Sequence, residues 1–403
     1  MKSYQILGSA NKGGYMFTIA KEDRIITKPL VLIFALLLIS ISFRSANATQ
    51  IHNAADTGDF VQVKRLIVSG TDVNSIDTDK ETPLHLASRN GHKTVVELLI
   101  ANGANINASS ICNLTPLHLA SYKGHKAVVE LLIANGANVN AKNNEKATPL
   151  HASAVKGHQA IVESLIKNGA YVDAETIIKQ TPLYQASFNG HEKVVEVLIS
   201  SGADVNTLTN KDETPLFAAS INGHQAVVEA LIKNGASINK VNDIKNLSLH
   251  GASQEGYKTV VELLIKKGAN IDARNKEKCT PLHLTAQKGN KKVAEVLIAS
   301  GANVEAIDTL KRTPLHLACL GGHKDVVVLL ITNGSNVNAV AKKKFTPLHI
   351  ASVKGHKAVA EFLIEKGAKI NAEDIDGNTP LSLAEQSAHR DIVKLLKQHG
   401  GRK

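Results

Sequence analysis

Tryptophan is absent from this 403-residue chain, aromatic residues make up only 3% of it, and there are just three cysteines and two methionines. With so few rings to supply bulk, the interior must be built from Leu, Ile, Val and Ala. That suits thin helical layers packed closely together. Three cysteines do not make a disulfide framework. Cys112 and Cys279 stand about five periods of the repeat described below apart, roughly 40–50 Å if neighbouring helices pack 8–10 Å apart. Cys279 and Cys319 fall in adjacent repeats but at different places within them, and a disulfide needs Cα atoms within about 7 Å. Three free thiols are expected. No Cys-x-x-Cys and no Cys/His cluster with ligand spacing occurs, so neither a metal nor another cofactor is expected. Proline is equally restricted: nine of the ten sit in Thr-Pro dipeptides, and only Pro29 lies elsewhere. Acidic residues are also in deficit, 36 against 47 Lys and Arg, giving a net charge of +11. That balance raises the possibility of an acidic partner. A nucleic-acid reader clusters its charge on one face, however, whereas here Lys is scattered over positions that read as outer helix faces. Nucleic acid is the lesser expectation.

What is present is a phrase. Thr115-Pro116-Leu117-His118-Leu119-Ala120 is followed by Gly124-His125 and by Val128-Val129-Glu130-Leu131-Leu132-Ile133. The phrase starts again at Thr82, Thr148, Thr181, Thr214, Thr280, Thr313, Thr346 and Thr379, and a degenerate copy starts at Leu247. The period is 33 residues, which marks a stacked-repeat architecture rather than two or three globular domains. Counting back from Thr82 reaches Thr49, so eleven repeats fill residues 49–403. Residues 49–81 read as an N-terminal capping unit, with Asn53 where the next repeat has Leu86. Residues 379–403 read as its C-terminal counterpart, with Ser382, Glu385, Lys394 and Lys397 on its helices.

Ahead of the repeats lies an apolar run, Leu30 to Phe43, followed by Ala46-Asn47-Ala48. A basic flank, a short apolar core and a small-x-small motif occur in the order of a secretory signal peptide. The run is short of the 18 or more residues of a membrane-spanning helix. Residues 1–48 are therefore expected as a signal peptide cut after Ala48, with export as the consequence. An uncleaved membrane anchor is the alternative. Sequons at Asn47, Asn107, Asn113, Asn246 and Asn333 matter only on a eukaryotic secretory route.

Within a repeat the local chemistry is legible. Thr82 suits a helix N-cap and Pro83 the first helical position. The first helix is expected to run to about Asn90, ahead of Gly91. A second from about Lys93 turns Val95, Val96, Leu98 and Leu99 inward, and Gly103 sits where a left-handed cap is wanted. Neither helix is long enough to stand alone, so stability must come from stacking.

Thr-Pro-Leu-His-Leu-Ala, Gly-His, Val-Val-Glu-Leu-Leu-Ile and Gly-Ala-Asn-Val-Asn at this period resemble the ankyrin repeat family over residues 49–403. The resemblance implies an all-α solenoid of helix–turn–helix units with finger loops. It also implies protein binding through the concave inner-helix surface and the fingers, with the repeated histidines hydrogen-bonding backbone groups. The sequence departs from the family in two places. The finger glycine is kept only at Gly377, which puts tight finger turns in doubt. The repeat at Leu247-Ser248-Leu249-His250-Gly251 loses its Thr-Pro and is expected to be the weakest joint.

Seventeen histidines invite a metal or catalytic reading, but one per repeat in each register cannot converge on a single ion at bonds near 2.1 Å. The row of Glu97, Glu130, Glu163 and their successors reads as a solvated stripe. No phosphate loop, dinucleotide fingerprint or nucleophile elbow is present, and no enzyme is expected. Variable positions are where recognition belongs. Those expected to meet a partner are Arg89, Tyr122, Val155, Phe188, Ile221, Leu320 and Val353, just before the glycine that ends the first helix. The finger run Lys342-Lys343-Lys344 joins them, with Lys311-Arg312 and Arg274, Lys276 and Lys278 nearby. The functional expectation is a monomeric, exported protein-interaction scaffold. The alternative is an electrostatic binder of nucleic acid or anionic surfaces through basic C-terminal fingers.

Overall fold

The computed structural model describes residues 50–403 apart from Lys245; the expected signal peptide lies outside them. Among the described residues there are 22 α-helices, one 3-10 turn and no strand. They fall into two compact blocks, one of residues 50–219 and 226–237, the other of residues 220–225 and 238–403. The first repeat contributes α1 (Gln50–Thr57) and α2 (Phe60–Val68), and the next contributes Pro83–Asn90 and Lys93–Ala101. This pairing recurs to the last repeat, at Pro380–Gln386 and Arg390–Gln398.

The first helices that open with Thr and His three residues later begin on a reciprocal cap. Thr115 is extended, its hydroxyl accepts from the His118 amide at 3.4 Å, and the His118 Nδ1 accepts from the Thr115 amide at 3.1 Å. The imidazole so oriented turns its other nitrogen, Nε2, to the carbonyl of Ala147 in the next repeat, 3.1 Å away. A backbone amide can only donate and a carbonyl can only accept. The proton therefore sits on Nε2 and the ring is neutral. The helix ends at Gly124 with φ 87°, a left-handed cap that an L side chain resists. A Cβ there would stand 2.6 Å from the ring of His158. The helix-forming and helix-ending residues thus also carry the stacking.

A second ladder runs beside the first. The Asn107 side chain donates to the Gly136 carbonyl at 3.2 Å and accepts from the Asn138 amide at 2.8 Å, both in the following repeat. Asn74, Asn140, Asn206, Asn338 and Asn371 repeat this pair of bonds. The sequon at Asn107 is therefore committed to packing.

The finger turns are tight after all. The position that holds Gly377 is left-handed in Lys80, Asn113, Lys146, Lys179, Asp212, Lys278, Lys311 and Lys344, with φ between 56° and 59°. What replaces glycine's freedom is an anchor three residues earlier. Asp77 Oδ1 accepts from the amides of Asp79 and Glu81, both at 2.9 Å, and Asn143, Thr209, Asn242, Asp308 and Asp374 each receive two amides in the same way. One finger lacks the anchor. Ala341 has no side-chain acceptor to offer, and there the chain forms the 3-10 turn Lys342–Lys344 with both Lys343 and Lys344 left-handed. Within each block, fingers join through a backbone bond such as Ile177 N–H to the Glu145 carbonyl at 3.0 Å. The repeat at Leu247 forms its helix, Ser248–Glu255, with the Leu247 amide on His250 Nδ1 at 3.2 Å but no hydroxyl in the cap.

Candidate functional site

The end of each first helix does two jobs, and the side chains there divide accordingly. Its backbone carbonyls receive the second histidine register. Arg89, Tyr122, Val155, Leu320 and Val353 accept from His125, His158, His191, His356 and His389 at 2.9 to 3.2 Å. The side chains range from buried to half-open.

Three of the residues expected to meet a partner are taken up internally. Arg89 is 8% exposed, and its guanidinium lies 2.9 Å and 3.2 Å from the two Glu81 carboxylate oxygens and 3.4 Å from Asp56. Burial pushes the Glu81 carboxyl up from its ordinary pKa, and Arg89 opposes that rise. The pair is consumed by mutual neutralisation, because leaving either charge alone inside would be costly. Tyr122 is 7% exposed; it packs with Leu114, Leu119, Ala147 and Ala152 under the Lys156 ammonium, 4.6 Å from its ring centroid. Val155 is 5% exposed. These three serve the stack in the free chain. Phe188 in the first block and Ile221, Leu320 and Val353 in the second are half-buried, while Lys342, Lys343 and Lys344 are exposed.

The fingers hold more exposed apolar surface than the sequence reading assigned them. Ile111, Ile177 and Ile375 stand two residues before the left-handed turn residue, and Ile76, Ile307 and Val340 stand four before it. In the second block the same two positions carry Arg274, Lys276 and Lys342, all exposed. Acids share the second-block fingers: Asp243, Asp272, Glu277, Glu305, Glu373 and Asp376, besides the buried Asp308 and Asp374. Arg312 is not free to join the basic surface, because its Nε lies 2.7 Å from Oδ2 of the buried Asp308. The signal for these residues was their fixed offset from the turn. It is visible only once the turn is known to form.

Neither histidine register builds a reactive site. Burial holds His85, His118, His151, His250, His283 and His316 down at about 4, with their backbone acceptors opposing. Each is spent on a cap and a carbonyl. Among the described residues no group of three His, Cys, Asp or Glu side chains is placed to hold a metal ion. Cys279 and Cys319 are buried, and burial pushes the Cys279 thiol up to about 12. The open depression on the last repeat is lined by Glu385, Arg390, Lys394 and Lys397, and Lys397 and Lys403 already hold Glu385 at 2.9 Å each.

Among the described residues, Gln185 is the largest of the buried side chains whose polar atoms have no such employment. Gln185 is 3% exposed, and neither its amide nitrogen nor its amide oxygen meets a hydrogen-bond partner. Leu86, Leu119, Leu284 and Leu317 hold the equivalent place in other repeats. An unpaired buried amide costs roughly 1–3 kcal/mol. Gln185→Leu is accordingly expected to raise stability by about that amount, read as a higher urea midpoint at unchanged slope. An unchanged midpoint would mean that the amide is satisfied by water.

With this geometry in hand, the comparisons with known proteins are direct. A family model described as Ankyrin repeats (3 copies) matches residues 51–143, 109–176, 136–209, 173–242, 249–341 and 329–403. Among solved structures, the human ASB11 ankyrin repeat domain superposes with a TM-score of 0.52 at 29% identity, covering 55% of this chain and 99% of that one. No curated protein matches the chain.

Proposed function

The chain belongs to the ankyrin repeat family, whose repeats are protein–protein interaction modules, and on that premise we propose that it is a non-enzymatic scaffold binding a protein partner. The observation that carries this reading is the finger surface of the second block. There the exposed Val241, Ile307 and Val340 stand among Arg274, Lys276 and Lys342 to Lys344. Apolar contact area with an excess of cations around it, densest at Lys342 to Lys344, fits a partner that offers apolar side chains within an acidic surface. Half-buried Leu320 and Val353 extend the contact toward the first helices.

Reversing Lys342, Lys343 and Lys344 to Glu is expected to weaken partner binding at least tenfold by calorimetry, with unchanged helical circular dichroism. Long-range steering predicts that most of the loss at low salt appears in the association rate. Ile307→Asp with Val340→Asp should weaken binding comparably, with little change in salt dependence. Equal binding by both variants would remove the fingers from the interface. A wild-type affinity that collapses steeply with salt, together with retention on nucleic acid, would favour the electrostatic alternative instead. Export remains part of the proposal, and amino-terminal sequencing of the secreted chain locates the cut expected after Ala48.

A further inference from the structure

Helix α2 (Phe60–Val68) differs from the other described second helices. In five later repeats the solvent face of that helix carries Lys and Glu four residues apart, joined as ion pairs. Lys93–Glu97, Lys126–Glu130, Lys258–Glu262, Lys291–Glu295 and Lys357–Glu361 stand 3.3 to 3.7 Å apart. In α2 the same two places hold Phe60 and Lys64. Val61 and Val68 complete the exchange at 75% and 81% exposed, with Phe60 at 40%. Among the described residues no other second helix presents an exposed large apolar side chain.

At about 100° per residue, Phe60, Lys64, Val68, Val61 and Arg65 fall within roughly 140° of one helix face. No acid lies on the helix, and Asp59 just before it is occupied in accepting from the Gln62 amide at 2.9 Å. Three exposed apolar groups interleaved with two cations suit the headgroup region of an anionic bilayer. There apolar side chains enter the acyl boundary while Lys and Arg stems reach back to phosphate. The sequence ahead of the repeats points to the same occupant. The apolar run 30–43 is separated from Gln50 by residues 44–49, a stretch that spans at most about 25 Å. In the uncleaved, membrane-anchored form, a bilayer receiving that run therefore lies within reach of α2.

We propose that α2 is a lipid-facing surface, with Phe60, Val61 and Val68 seated in an anionic membrane interface and Lys64 and Arg65 paired with its phosphates. The proposal concerns the back of the first repeat and is independent of the partner-binding fingers.

The absence of tryptophan makes it directly testable in the full chain. Val61→Trp and Ala127→Trp each create a single indole at the same register, two repeats apart, and Ala127 is also exposed. Both variants are added to phosphatidylcholine vesicles with and without phosphatidylglycerol, some carrying brominated acyl chains. Trp emission from the Val61 variant is expected to shift to the blue and be quenched by bromine in the anionic vesicles, and that from the Ala127 variant to stay unchanged. Lys64→Gln with Arg65→Gln should reduce the quenched fraction, each lost charge weakening surface contact roughly fivefold. Equal quenching of the two indoles, or none, would overturn the proposal. So would a lipid-free blue shift: growing with protein concentration, it would identify a second copy as the occupant, and independent of concentration, the chain's own leading segment.

Discussion

Between pH 6.5 and pH 4 both blocks are expected to lose most of their stability, ahead of the acid unfolding that carboxylates alone would cause. Six imidazoles are responsible, His85, His118 and His151 in the first block and His250, His283 and His316 in the second. Each is held by burial at about 4 against an ordinary 6.5. The folded state keeps them neutral and the unfolded chain protonates them. Stability is therefore complete above pH 6.5 and falls as the pH drops toward 4. At pH 5 the difference is on the order of 2 kcal/mol for each ring, and three rings per block suffice to exhaust a marginal fold. The hydrogen bonds give the same sign independently. A proton added to Nδ1 of His118 would face the Thr115 amide, whose hydrogen already occupies that contact. The expected measurement is a urea midpoint that falls steadily between pH 7 and pH 5, followed by loss of helical signal. A flat midpoint over that range would refute it. Location adds a sharper check. Tyr184 and Phe217 stand in this register in the repeats at Thr181 and Thr214, and the Tyr184 hydroxyl donates instead to Glu213 at 2.7 Å. Amide exchange at pH 5 should leave Pro182–Asn189 protected longer than Pro116–Lys123.

How much of this was open to reading depends on whether a residue's partner is near in sequence. Thr115, Pro116, His118 and Gly124 announce their own helix, since cap, first turn and left-handed stop all lie within ten residues, and both helix bounds follow from them. The reach of Asn107 to Gly136 and Asn138 is a contact 29 and 31 residues away. Its motif was plain, but its job was not. Arg89 shows the converse failure. By register it belongs with Phe188 and Leu320, half-open at the end of a first helix. The accident of Glu81 eight residues before it and Asp56 one repeat earlier turns its charge inward. The exposed finger residues were hidden by a third cause. Glycine's absence argued against tight turns, whereas Asp77, Asn143 and Asp308 supply with a carboxylate or amide what glycine supplies with freedom. Register alone therefore marks where a surface can exist, and neighbouring charges decide whether it stays available.

Returning glycine to five of those fingers together should stabilise the protein. Lys80, Lys146, Lys179, Lys278 and Lys311 are exposed, and each is held at φ between 56° and 59°. The left-handed region costs an L residue roughly 1–2 kcal/mol, and glycine's greater freedom in the unfolded chain returns about half of that gain. Each Lys→Gly change is then worth about 0.5–1 kcal/mol. The sites lie in different repeats with no shared partner, so their effects should add to about 2.5–5 kcal/mol. Urea unfolding of the fivefold variant, read against wild type at neutral pH, measures this directly, and no increase would mean that the anchors have already removed the strain. Binding supplies the second half of the test. Backbone strain kept at an exposed position can mark a residue that is used, and on the proposed function Lys278 and Lys311 would present charge on the second-block fingers. The fivefold variant should therefore be more stable and, on the proposed function, bind an acidic partner less tightly. If it gains stability with affinity unchanged, these five lysines lie outside the interface and the contact narrows to Lys342–Lys344 and its apolar neighbours.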